Sequence, residues 1–107
     1  MGLYLIEATY TAEAIAAQLK NPQDRTVMLR AAIEAHGGRL LGVGFTAGPP
    51  GIVAIQEMPD DTSNAAALLA VFSSGAFIES RVTPLLSPEQ WVEALSGQGF
   101  PEYEPVR

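Results

Sequence analysis

A two-layer α+β domain, with one antiparallel sheet and its main helices on one side, is what this sequence predicts. Three observations lead there: β-rich and helical runs alternate, glycine- and proline-rich turns separate them, and the composition is that of one packed core. At 107 residues, 48% hydrophobic and 17% charged, the chain is globular rather than disordered and has the size of one domain.

The elements follow in order. Leu3 to Tyr10 reads as the first strand, with Tyr4, Ile6 and Ala8 on one face and Leu3, Leu5, Glu7 and Thr9 on the other. Thr11 caps a short helix to Leu19. Asn21-Pro22 is expected to restart it, asparagine as N-cap and proline where its missing N–H costs nothing, so that Gln23 and Asp24 fall in the first turn. From Arg25 to His36, Val27, Met28, Ala31, Ala32 and Ala35 recur at helical spacing, and Gly37 supplies a left-handed stop.

Arg39 to Ala47 alternates as the second strand, with Leu41, Val43 and Phe45 facing one way and Leu40, Gly42, Gly44 and Thr46 the other. Gly48-Pro49-Pro50-Gly51 is a turn, and Ile52 to Met58 completes a hairpin. The polar run Pro59 to Ser63 offers oxygen caps for an alanine- and leucine-rich helix from about Asn64 to Ser74. After Gly75, Phe77 to Leu85 is the fourth strand, with Phe77, Glu79, Arg81 and Thr83 on one face and Ile78, Ser80 and Val82 on the other. Ser87-Pro88-Glu89-Gln90 is a capping box, flanked by Leu86 and Trp91 as a hydrophobic staple, for a helix ending near Leu95. The domain is expected over residues 1–96, with an acidic, irregular tail over 97–107.

Strand, helix, strand, strand, helix, strand, with a short extra C-terminal helix, is the ferredoxin-like βαββαβ pattern. Right-handed crossovers give the antiparallel sheet the order 4-1-3-2, with both main helices on one face. The other face is expected to carry Leu3, Leu5, Leu40, Ile52 and Phe77, more contiguous apolar surface than a monomer leaves wet. A second copy, packed sheet to sheet as a homodimer, is the partner this predicts.

Charge and composition remove whole classes of function. Six basic and twelve acidic side chains give a net charge of −6, of which residues 59–107 carry −5. The bases Lys20, Arg25, Arg30, Arg39, Arg81 and Arg107 form no stripe that would follow a phosphate backbone, so nucleic acid is not an expected partner. Without cysteine there is no disulfide scaffold, thiolate-held metal or cysteine nucleophile. No run approaches the roughly 20 apolar residues of a membrane span, and Met1 to Leu5 lacks a basic leader region. A cytoplasmic protein without membrane attachment is expected. With one histidine, neither a metal site nor a cofactor is expected, and Asp60-Asp61 reads as a helix cap.

In the predicted order the first strand lies beside the third and fourth, so Glu7 and Thr9 share the open face with Gln56, Glu79, Arg81 and Thr83. Gly42 and Gly44 remove side chains from that face and leave a cavity or room for a partner backbone. Glu7, Thr9, Gly42, Gly44, Gln56, Arg81 and Thr83 are the candidate ligand site. For catalysis, Glu7 or Glu79 is the candidate base, with Arg81 holding an anionic or enolate oxygen; the structural alternative is a cross-strand ion pair at the dimer interface. His36, the residue type that cofactor-free proton transfer would draw on first, stands in a last helical turn, where a cation complements the helix dipole. Gly42-x-Gly44 is no dinucleotide fingerprint, because no helix follows it.

Over roughly residues 3–96 the sequence resembles the GYD-domain family of small bacterial proteins. The resemblance rests on the order and spacing of Tyr10-Thr11, Gly37-Gly38, Thr46 and Gly48, Pro59-Asp60-Asp61 and Ser87-Pro88-Glu89. It implies the dimeric α/β barrel group, whose members include cofactor-independent oxygenases, lactone isomerases and regulatory ligand-binding domains. The family is named for a tyrosine and an aspartate at the hairpin turn, where this chain has Pro50 and Gly51. Neither titrates or donates from a side chain, so a role that depends on that pair is absent. What is expected is a homo-oligomer that binds a small organic ligand or serves assembly through the open face; the alternative is a cofactor-independent enzyme working by proton transfer or monooxygenation.

Overall fold

A computed structural model of the chain describes residues 1–97. The order is β1 (Gly2–Tyr10), α1 (Ala12–Lys20), α2 (Thr26–Ala35), β2 (Arg39–Phe45), β3 (Ile52–Met58), α3 (Asp61–Phe72), β4 (Phe77–Leu85) and α4 (Pro88–Leu95). The strands form one antiparallel sheet in the order β2-β3-β1-β4, which is 4-1-3-2 read from the other edge. The fold is α+β and ferredoxin-like, as predicted. The predicted tail lies, from residue 98 on, outside the described residues.

The core sits between the sheet and two helices. Tyr4 and Ile6 of β1, Leu40 of β2, and Ala54 and Met58 of β3 are buried against Ile33 of α2 and Ala67 and Leu68 of α3. Neither α1 nor α4 buries a residue. Among the described residues no helix is long and apolar enough to cross a membrane.

Local chemistry accounts for most helix ends. Thr11 accepts from Ala14 N at 3.0 Å as the N-cap of α1, and its own N–H bonds the Ala76 carbonyl at 2.8 Å, tying the helix start to the entry of β4. Asp60 caps α3 through Ser63 N at 2.7 Å, which holds its carboxyl below the usual carboxylate range. That helix begins at Asp61, three residues before the position predicted. Ser87 and Gln90 form the predicted capping box of α4. Gly37, at φ +82°, ends α2, and the His36 ring bonds the Ala32 carbonyl at 2.8 Å.

The restart at Asn21-Pro22 does not occur. The Asn21 N–H still closes α1 on Ala17, and α2 begins only at Thr26. Asp24 sets that start, accepting from Thr26 N at 2.9 Å and Thr26 Oγ1 at 2.5 Å, so Gln23 and Asp24 precede the helix rather than fill its first turn.

Strand phase is corrected at three places. In β2 the register shifts between Leu40 and Gly42, so Leu40 turns to the helices with Val43 and Phe45, while Gly42 and Gly44 face away. In β4 the register shifts where Tyr10 pairs with Phe77, so Phe77 joins the helix side. In β3 the inward set is Ala54, Gln56 and Met58, which puts Ile52 inward as well. Of the five residues predicted for the open face, Leu3 and Leu5 are there and Leu40, Ile52 and Phe77 are not. Val53, Ile55 and Leu85 take their places beside the two leucines.

Candidate functional site

The open face is built from the strand pairings. Glu7 lies between Val53 of β3 and Arg81 of β4, and Thr9 lies opposite Glu79. Leu5 is flanked by Ile55 and Thr83. Because side chains alternate across a sheet, Glu7, Thr9, Glu79, Arg81 and Thr83 form one polar island on a surface otherwise made of Leu3, Leu5, Val53, Ile55 and Leu85. Gly42 and Gly44 lie opposite Ile55 and Val53 on the same face, and a Cβ at either would meet nothing within 4 Å. The glycines floor open space.

Glu7 is half-buried and Arg81 exposed, and although they are register partners neither side chain makes a hydrogen bond or ion pair with the described residues. Among the described residues the ion pair is Arg39 to Glu57, at 3.0 Å, on the far side of the same face. Among the described residues of one chain, neither Glu7 nor Glu79 pairs with Arg81. No group of three histidine, aspartate or glutamate side chains among the described residues is arranged to hold a metal.

Gln56 is the site residue the structure places elsewhere. It pairs with Tyr4 and Leu40, is fully buried on the helix side, and donates from Nε2 to Asn64 Oδ1 at 2.7 Å. His36 is bound to its own helix and stands apart from the island. Tyr4 belongs to the core, where its hydroxyl donates to Asp61 Oδ1; that bond, followed by burial, pushes the phenol up to about 12.

A second concavity, on the helix side, escaped the sequence reading. It is a cleft of about 630 Å³ between α1, α2, the end of α3 and the strand ends. Tyr10 and Phe77 line it with ring centroids 4.9 Å apart, and Phe72 meets Phe77 edge-on at 5.7 Å. Burial raises the Tyr10 phenol, and the neighbouring Arg25 charge opposes that rise. The signal in the sequence was Tyr10 at the end of β1, whose counterpart Phe77 at the start of β4 was expected on the open face.

The model of the GYD domain matches residues 4–95. The chain belongs to the GYD domain family. No curated protein sequence matches it. Among solved structures this GYD-domain protein is similar to the 5-chloro-2-hydroxyhydroquinone dehydrochlorinase TftG of Burkholderia phenoliruptrix AC1100, solved with 2,5-dihydroxybenzoquinone. The TM-score is 0.57 and the identity 14%, over 81% of this chain and 96% of that one. It is also similar to Atu4242 of Agrobacterium tumefaciens, with a TM-score of 0.48 and 18% identity over 80% and 92% of the two chains. The likeness to TftG supports the fold. At the hairpin turn Gly51 adopts φ +118°, and its N–H bonds Thr46 Oγ1 at 2.8 Å.

Proposed function

We propose that this GYD-domain protein is a self-assembling module whose open sheet face packs on a second copy, as in a dimeric α/β barrel, and holds a small organic ligand over the glycine floor. The observation that carries this reading is the polar island itself. A half-buried carboxylate and an adjacent guanidinium without partners, set in a field of leucine, isoleucine and valine, gain their complements when a second face or a ligand covers them. Thr9, Thr83, Gly42 and Gly44 are the further contacts, and Gln56 leaves the set.

A second reading follows from the same pair. An unengaged carboxylate beside an unengaged guanidinium is the arrangement for abstracting a proton with Glu7, or with Glu79, while Arg81 holds the oxyanion that results. That another protein of this fold is a dehydrochlorinase is compatible with chemistry of this kind.

Native mass spectrometry of protein purified gently from its own source tests both readings. A dimer, or a multiple of it, carrying a discrete added mass is the expected result, and that compound becomes the first substrate to assay. Glu7→Gln is then expected to abolish turnover under the enzyme reading and to leave only binding altered under the first. A bare monomer at micromolar concentration overturns the assembly reading.

A further inference from the structure

We propose that the helix-side cleft is a second binding site, complete within one chain, which takes a small aryl monoanion with its charged end on Arg25 and its ring against Tyr10 and Phe77. This goes beyond the self-association reading, since the cleft lies on the opposite side of the sheet from the polar island.

Three features define the ligand. The first is size: about 630 Å³ lies within the range of small-molecule sites, and it exists because the facing positions of the helices are Ala14 and Ala17 on α1, Ala32 on α2 and Ala70 on α3. Side chains of ordinary volume would have closed the gap. The second is the wall, where the stacked Tyr10 and Phe77 rings offer aromatic surface at the end of β1 and the start of β4. A planar ring gains more against such a wall than a flexible chain, which loses rotamer freedom on binding.

The third feature is charge. Arg25 lines the cleft in the connection between α1 and α2, half-buried, and its side chain makes no hydrogen bond or ion pair with the described residues; its Nε is sealed from water with no acceptor. Buried donors are nearly always satisfied, so a guanidinium in this condition calls for an oxygen acceptor. Glu13, exposed in the first turn of α1, is the acidic side chain of the lining and forms no ion pair with Arg25. The site therefore selects one negative charge on an apolar, planar body.

Isothermal titration of the full chain with 1-naphthoate and with its neutral analogue 1-naphthamide tests the assignment, with methyl NMR to place the ligand. The expected result is binding of naphthoate about tenfold or more tighter than naphthamide, with shifts at Met28 of the cleft and none at Ile55 of the open face. Arg25→Gln is expected to remove the preference for the anion. Ala17→Phe, a change on the exposed α1 that fills the cleft without touching the core, is expected to weaken both ligands. No naphthoate binding at millimolar concentration, equal affinity for the two compounds, an Arg25→Gln protein that keeps the preference, unchanged binding in Ala17→Phe, or shifts at Ile55 in place of Met28 would each overturn the proposal.

Discussion

Gln56 Nε2 donates to Asn64 Oδ1 at 2.7 Å inside the core, and the other polar atom of the same side chain, Gln56 Oε1, is buried without a partner. The pair joins β3 to α3 through a bond that water cannot replace. Removing one member strands the other, at a cost of about 1–3 kcal/mol, whereas replacing both with apolar groups is close to neutral. Asn64→Leu or Gln56→Leu alone is accordingly expected to lower the unfolding free energy by that amount, and the two combined to recover most of it. Urea denaturation of the two single variants and the double variant checks this; additive losses in the double variant would contradict it.

Tyr4 predicts how stability depends on alkaline pH. Its phenol is held up to about 12 in the folded chain by the Asp61 hydrogen bond, against an ordinary value of 10.0. A folded value above the unfolded one means that the native state binds the proton more tightly. The contribution is therefore fully present below pH 10 and is lost as pH rises from about 10 to about 12. Burial raises the Tyr10 phenol too, so the wild-type loss has two sources. Thermal melts across this range are expected to show a steeper decline for wild type than for Tyr4→Phe, which retains only the part due to Tyr10.

Gly38 and Gly42 stand near each other in the chain and are predicted to respond oppositely to substitution. A Cβ at Gly38 would collide with Met58 Sδ and come within 2.6 Å of the Glu57 carbonyl, whereas a Cβ at Gly42 meets nothing within 4 Å. Backbone cannot move aside as a flexible side chain can, so Gly38→Ala should destabilise by about 1–3 kcal/mol. Gly42→Ala should leave the single chain's stability unchanged or slightly higher, since glycine weakens a strand. Denaturation midpoints of the two variants decide the point.

Element order was legible in the sequence because each boundary carries its own local chemistry: the Thr11 cap, the Gly37 stop, the Ser87-Gln90 box. Sheet order followed from crossover handedness. Strand phase was less legible, for reasons that the residues themselves supply. Gln56 reads as an open-face residue until Asn64, eight residues on, gives it a buried partner on the helix side. Leu41 and Ile78 are inserted at register shifts, which periodicity alone does not locate. Glu7, Thr9, Arg81 and Thr83 came out on one face because β1 and the later part of β4 hold their register with each other. The helix-side cleft was not legible, since a void reflects how far helices stand apart and not what any one of them contains.

The open face supplies the last prediction. Ile55 lies at the centre of that face, 39% exposed, with Leu5 on one side and Gly42 on the other. A charge there costs little in a single chain, where water reaches it, and a great deal between two sheets, where it would be buried unpaired. Ile55→Glu is expected to keep the single chain folded and to reduce the assembly to one chain, while Ile78→Glu, an equally apolar but 67% exposed position at the β4 register shift, leaves assembly intact. Sedimentation velocity at micromolar concentration separates the two variants. If both retain the wild-type mass, the contact between copies lies elsewhere, and the unpaired Glu7 and Arg81 face solvent in the working protein.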